Sequence, residues 1–170
     1  LTEKHSVEAG LEGNRYAFSP GIKTPHGDES NTPEERLENE NSFEMAGYVQ
    51  DIYEINDRFS LSAGIRYSLY FLVGPTTVNQ YDGNGYIDQN SWTGIREFNR
   101  GEVISKYSGF EPRLSARMNV TPMSSVKFGY SRNYQYLHII SNSTVVTPTD
   151  IWKSSGPYVK PAVGNQFALG

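Results

Sequence analysis

The segment Gln80-Tyr81-Asp82-Gly83-Asn84-Gly85-Tyr86-Ile87-Asp88-Gln89-Asn90-Ser91 sets oxygen donors at alternate positions around a glycine. With Gly85 at the tight turn, Asp82, Asn84, the Tyr86 carbonyl and Asp88 fall at the ligand spacing of an EF-hand calcium loop. Gln80 stands where the first Asp belongs, and Ser91 where a bidentate Glu should close the site. No helical pattern flanks the segment. Oxygen count and charge both fall short, so the spacing supports at most weak calcium binding, and a Gly/Asn turn at a loop tip fits it better.

Other chemistries are poorly provided for. His5, His26 and His138 are far apart, and none has a second ligand at metal spacing. Cysteine is absent, which removes thiolate sites and disulfides. Neither G-x-S-x-G nor a phosphate-cradling glycine loop occurs. Glu34, Glu35 and Glu38 read as the solvated face of a helix, not as a catalytic pair. The expectation is a protein that is no enzyme and requires no cofactor. Aromatics are the better binding candidates: Tyr81, Tyr86, Trp92 and Phe98 share one stretch, while Tyr134, Tyr136, His138 and Trp152 surround another. Flat faces with polar tips suit sugars, aromatic chelates and other amphipathic small molecules. Tyr81, Tyr86, Trp92, Trp152 and His138 are therefore candidate ligand contacts, whereas Tyr134 and Tyr136, near strand ends, better fit an interfacial belt.

The elements that must position these residues are strands. From Arg58 to Phe71, apolar Phe59, Leu61, Ala63, Ile65, Tyr67, Leu69 and Phe71 alternate with a set in which only Tyr70 is not small or polar. Such alternation makes one greasy and one wet face, over a length that could cross a bilayer at a tilt. Only 36% of residues are apolar and mean hydropathy is -0.57, yet there are 12 Tyr and 8 Phe. No apolar run is long enough for a transmembrane helix, which excludes a helical membrane protein but not a β-barrel.

Further strands are expected over Lys4 to Phe18, with a bulge near Gly13 where the alternation changes phase, and over Phe43 to Ile55. In the latter Asp51 interrupts the apolar face, through a bulge or a membrane boundary. Phe110 to Val120, Val126 to Tyr136 and a segment from about Asn165 complete about six strands. The loops 20–41, 73–107 and 138–164 are long, and the turns at Asn56-Asp57 and Thr121 to Ser124 are short. An up-and-down meander would put every long loop at one end, as in outer-membrane barrels. Thr32-Pro33-Glu34-Glu35 has the make-up of a helix start and predicts about two turns, ending near Glu40. The net charge is -4, and Asp28, Glu29, Glu34, Glu35, Glu38, Glu40 and Glu44 crowd one segment that reads as a solvated loop. No nucleic-acid partner is expected.

On these residues the chain resembles the TonB-dependent outer-membrane receptors, especially those of Bacteroidetes. Ala46-Gly47-Tyr48-Val49-Gln50-Asp51 followed by Ile55-Asn56-Asp57-Arg58 and Gly64-Ile65-Arg66-Tyr67 is similar to that family's "YVQD … NDR … GxRY" hairpin. Glu111-Pro112-Arg113-Leu114-Ser115, Ser125 to Tyr136, and Asp150-Ile151-Trp152 with Lys160-Pro161 resemble the segments that follow it. The resemblance implies an all-β antiparallel meander belonging to a barrel of about 22 strands, with residues 1–170 as one partial barrel domain lacking a plug and a TonB-contact segment. Six strands cannot close, and open edges are costly in lipid, so the expectation is a piece of a longer receptor.

Further implications are the bacterial outer membrane as location and its lipid as a contact. Active uptake of a scarce nutrient (siderophore, cobalamin, oligosaccharide or similar) is expected, driven by the TonB complex through an N-terminal part and assisted by a surface lipoprotein in some members. Arg66, Arg113, Arg117 and Lys127 would face the lumen. A soluble carbohydrate-binding β-sandwich and a passive outer-membrane channel are the alternative readings.

Overall fold

The computed structural model describes residues 3–23, 35–36, 38–82, 90–140 and 151–170. Six long strands make one antiparallel sheet: β1 (His5–Phe18), β4 (Glu40–Asn56), β5 (Phe59–Val73), β8 (Val103–Thr121), β9 (Ser124–Gln135) and β12 (Ala162–Leu169), in the spatial order β1-β4-β5-β8-β9-β12. Each strand therefore neighbours the next long strand in the chain, as an up-and-down meander requires. Short ladders extend it at one end: β2 (Ile22–Lys23) with β3 (Glu35–Arg36), β6 (Thr76–Tyr81) with β7 (Trp92–Phe98), and β10 (Leu137–Ile140) with β11 (Ile151–Ser154). The opposite end carries the tight turns. Asn56 Oδ1 accepts from the N–H groups of Arg58 and Phe59 at 2.9 and 3.0 Å, and Thr121 Oγ1 accepts from Met123 N–H at 3.2 Å. Both turns are built by a short polar side chain folding back on its own backbone.

Cross-strand rows show the two faces directly. Leu11, Gly47, Tyr67 and Phe110 share one row of the apolar face, and Glu12, Ala46, Ser68 and Gly109 the adjacent row of the polar face. Leu11 is 90% exposed and Phe110 60%, so the greasy face is uncovered. The buried cluster of Tyr70, Leu72 and Tyr136 lies instead at the loop end of the polar face. The usual inside-outside relation is thus inverted. A soluble sandwich would need a second sheet against the apolar face, and among the described residues none lies there.

Three expectations change, and one, for Asp51, narrows to its position near the end of the strand. The register from His5↔Tyr53 to Phe18↔Glu40 is continuous, so no bulge occurs near Gly13. Tyr16 and Phe18 simply point to the polar side, where the loop end of the sheet keeps its own aromatics. Asp51 likewise sits in an unbroken register, and its carboxylate is met by His5 Nδ1 at 2.7 Å, near the tight-turn end. The short helix is absent among the described residues: Glu35–Arg36 pairs with Ile22–Lys23 as a strand, and the remainder of its core, 32–34 and 37, lies outside them. Two isolated turns of helix are marginal, whereas the strands flanking this loop already hold its two ends side by side. Finally, Tyr134 and Tyr136 are not belt residues. The β8–β9 ladder stops at Arg113↔Ser131, next to Pro112, which has no N–H to donate. Beyond it the Tyr134 ring covers Gly109 and Tyr136 stacks on Tyr70.

Strand limits also move. β8 starts at Val103 and β12 at Ala162, both earlier than the alternation indicates, and the hairpin β6–β7 occupies much of loop 73–107. At its root the Gly74 N–H donates to the Glu102 carbonyl at 2.9 Å. A Cβ on Gly74 would lie 2.4 Å from the Asn99 carbonyl oxygen and 2.8 Å from that of Phe98. Both obstacles are backbone, so Gly74→Ala should destabilise the fold by about 1–3 kcal/mol and speed protease cleavage within 76–98. Gly164→Ala, which meets nothing within 4 Å, should leave the urea midpoint and the cleavage rate near those of the parent.

Candidate functional site

The polar face carries two connected groups of side chains. At mid-sheet, Arg66 of β5 lies between three carboxylates. Its Nη1 donates to Glu111 at 2.6 Å, and its Nη2 donates to Glu44 and Glu12, each at 3.0 Å. β1, β4 and β8 supply one acid each because their ladders bring Glu12, Glu44 and Glu111 to neighbouring rows of a single face. Glu111 is 3% exposed and Arg66 15%, so these are charge-assisted bonds largely shielded from water. Tyr16 donates to Glu44 at 3.2 Å, and Tyr48 to Glu8 at 3.0 Å. Arg113 stands beside this group, yet the acids still outnumber the bases on this part of the face.

Toward the loops the face becomes aromatic. Tyr70 and Tyr136 stack with centroids 4.7 Å apart and planes 5° from parallel, and the Tyr136 hydroxyl lies 2.7 Å from Ser68 Oγ. Tyr107 donates to the Gly156 carbonyl at 2.7 Å, and the Ser155 N–H donates to the Tyr136 carbonyl at 2.7 Å. These bonds lash the 155–159 segment over the end of the sheet. Beside it opens a cavity of about 470 Å³ lined by Glu38, Glu40, Thr76, Tyr81, Lys153 and Tyr158, among others. Glu40 is buried; it pairs with Lys153 and accepts the Ser154 N–H at 2.7 Å. Glu38 accepts from the hydroxyls of Thr76 and Thr77. Tyr158 sits edge-on to Tyr81, centroids 5.2 Å apart, and donates to the Asn79 carbonyl at 2.7 Å.

Of the residues singled out in the sequence, Tyr81 lines this cavity. Trp92 is half exposed and lies opposite Tyr81 in the β6–β7 ladder without lining the cavity. Trp152 is also half exposed and stacks on Phe18 at 6.4 Å. His138 Nε2 is 3.0 Å from Ser155 Oγ, in the strand register opposite Lys153. Tyr86, Asn84 and Asp88 lie outside the described residues, while Asp82 is exposed at the end of β6. Among the described residues no group of three acids and histidines could hold a metal ion. Arg66, Arg113, Arg117 and Lys127 all belong to the polar face, with Arg113 opposite Gly64 and Arg117 opposite Lys127.

Sequence reasoning passed over Glu40, Glu44, Lys153 and Tyr158. Glu40 and Glu44 sat in an acidic run read as a solvated loop, but β4 begins at Glu40 and both project from the polar face into contacts. Alternation alone could have placed Glu44, which flanks Phe43 and Met45. Lys153 and Tyr158 gave no such signal, because a long connection brings them over the sheet.

A meander with a bare apolar face, a charged opposite face and hairpins at one end is the wall of an outer-membrane-type β-barrel. The model of the family described as "TonB dependent receptor-like, beta-barrel" matches residues 4–170, and the chain belongs to that family. This gives it an outer-membrane receptor and transport role, in a family of transporters and not of enzymes. No curated protein and no solved structure matches the chain.

Arg66→Gln would leave three acids on the polar face without their common base. A loss of about 3–5 kcal/mol in unfolding free energy is expected, since a shielded charge left unpaired is costly. Adding Glu111→Gln should restore part of it. Equal stability of the parent and Arg66→Gln in urea titration would show that water, not Arg66, compensates the acids.

Proposed function

We propose that this segment forms part of the wall of a receptor that actively takes up a scarce small nutrient across the bacterial outer membrane. In this reading the polar face, with Arg66, Arg113, Arg117 and Lys127, lines the lumen of a barrel of about 22 strands. The apolar face meets lipid, and the hairpin end faces outward. Energy comes from the TonB complex acting through an N-terminal plug, with a surface lipoprotein as a further partner, in a receptor of the Bacteroidetes type. The observation that carries the reading is the family match over residues 4–170, joined to a meander whose hairpins all lie at one end.

The cavity between β6, β11 and the 155–159 segment is the proposed point of nutrient contact. Tyr81 and Tyr158 offer ring surface, and the Glu40–Lys153 pair and Glu38 add polar groups to the lining. Such a lining suits a polyhydroxylated or amphipathic solute. Trp152, Trp92 and His138, on neighbouring hairpins, would widen that surface, with Tyr86 and any weakly bound calcium in the 80–91 loop beyond it.

Two measurements test this. An antibody against loop 73–107 should detect, in fractionated cells, an outer-membrane polypeptide several times heavier than 19.1 kDa; a soluble band at that mass would overturn the barrel reading. In cells whose only receptor copy carries Tyr81→Ala and Tyr158→Ala, growth on the limiting nutrient that requires the receptor should need several-fold more of it. Losing two ring contacts worth about 0.5–1.5 kcal/mol each sets that scale. Unchanged growth would remove the cavity from the transport path.

A further inference from the structure

In β1, β4, β5 and β8 the apolar face carries only four ionisable side chains apart from tyrosines, and their positions are ordered. His5 and Asp51 pair with each other at the tight-turn end. Arg15 and Lys106 stand toward the hairpin end, both exposed. The register places them in one row: Arg15 opposite Phe43, Phe43 opposite Phe71, Phe71 opposite Lys106. The Arg15 guanidinium carbon lies 6.0 Å from the Phe43 ring centre, and Lys106 Nζ 5.5 Å from that of Phe71. Each cation thus flanks the ring next to it, and the two close the ends of one row about 14 Å long. Among the described residues neither faces an acid, because these strands present no carboxylate on this face in their hairpin-side half.

The height of the row is informative. Asp51 lies eight residue steps along β4 from Phe43. At about 3.4 Å per residue and a tilt of about 40°, the two levels are roughly 21 Å apart along the membrane normal, close to the thickness of a barrel's apolar band. Between them the face is Met45, Val49, Ile65, Tyr67 and Leu69, with no charge. The two unpaired cations therefore sit at the hairpin-side boundary of the hydrocarbon, where lipid headgroups lie.

We propose that the row Arg15–Phe43–Phe71–Lys106 binds phosphate groups of anionic lipid in the hairpin-side leaflet, one at each cation, the acyl chains lying down the apolar rows below. The inference rests on the barrel reading and adds a headgroup preference to it. The two rings keep water away from the cation stems, which lengthens the reach of their charge. Each basic residue near a membrane surface favours an anionic lipid about fivefold, the equivalent of about 1 kcal/mol.

The test uses the full receptor in lipid discs, with a fluorophore attached through Ser108→Cys. Ser108 is exposed on the same face, two residues from Lys106, and this chain has no other cysteine; any elsewhere in the receptor would be replaced. The nitroxide quencher is carried on the acyl chain of either phosphatidic acid or phosphatidylcholine, in phosphatidylcholine discs. Phosphatidic acid should quench several-fold more efficiently. Arg15→Gln with Lys106→Gln should abolish the difference, Arg15→Lys with Lys106→Arg should keep it, and Arg117→Gln on the opposite face should not change it. Equal quenching by both lipids in the parent, or a preference that survives the double glutamine change, overturns the headgroup site while leaving the face in lipid. No quenching by either lipid means that the face does not meet the bilayer, and the barrel reading falls with the proposal.

Discussion

Everything in this sheet depends on one register, carried without a slip along β1–β4 and through all but the last residues of the β4–β5 and β5–β8 ladders. Side chains alternate between faces, so moving one strand by a single residue would exchange its two faces completely. Such a slip in β5 would take Arg66 from its three acids and could place it on the apolar face between Gly47 and Phe110. The lipid-side aliphatics and the charged face are thus consequences of the same hydrogen-bonded ladder. The ladder is held in turn by the cost of each wrong alternative.

The charge distribution follows from that arrangement. Arg66 joins β1, β4 and β8 through β5, so a single guanidinium ties side chains of four strands on one face. Farther toward the tight turns the same face turns basic, with Arg117 directly opposite Lys127. Like charges at facing positions are unfavourable within the sheet alone. Their presence is intelligible where the face borders a polar interior with charges of its own.

At the hairpin end the sheet stops being a simple wall. Pro112 marks the end of the β8–β9 ladder, and past it Tyr134 and Tyr136 pack inward over Gly109 and Tyr70. Gly109 is needed there because a Cβ would lie 2.3 Å from the Tyr134 ring. The stack supports the 155–159 segment, which with β6 and β11 shapes the cavity. A break in regular pairing therefore builds a region where backbone, aromatics and charged groups converge.

Alternation by itself determined that the chain is all β, which residues share a face, and that the connections are long at one end and short at the other. It located Arg66, Arg113, Arg117 and Lys127 on the wet face, because period-two patterning is a local property of the backbone. It misread Tyr16 and Phe18, where a change of environment along the strand imitates a bulge, it left Asp51 open between a bulge and a membrane boundary, and it misread the helix start in loop 20–41. Only tertiary structure decided which acids meet Arg66, that Glu40 is buried against Lys153, and that Tyr158 faces Tyr81. Glu40 and Lys153 are 113 residues apart and Tyr81 and Tyr158 are 77. Contacts at that separation are set by how connections fold over the sheet end, and no periodicity in the intervening sequence records it.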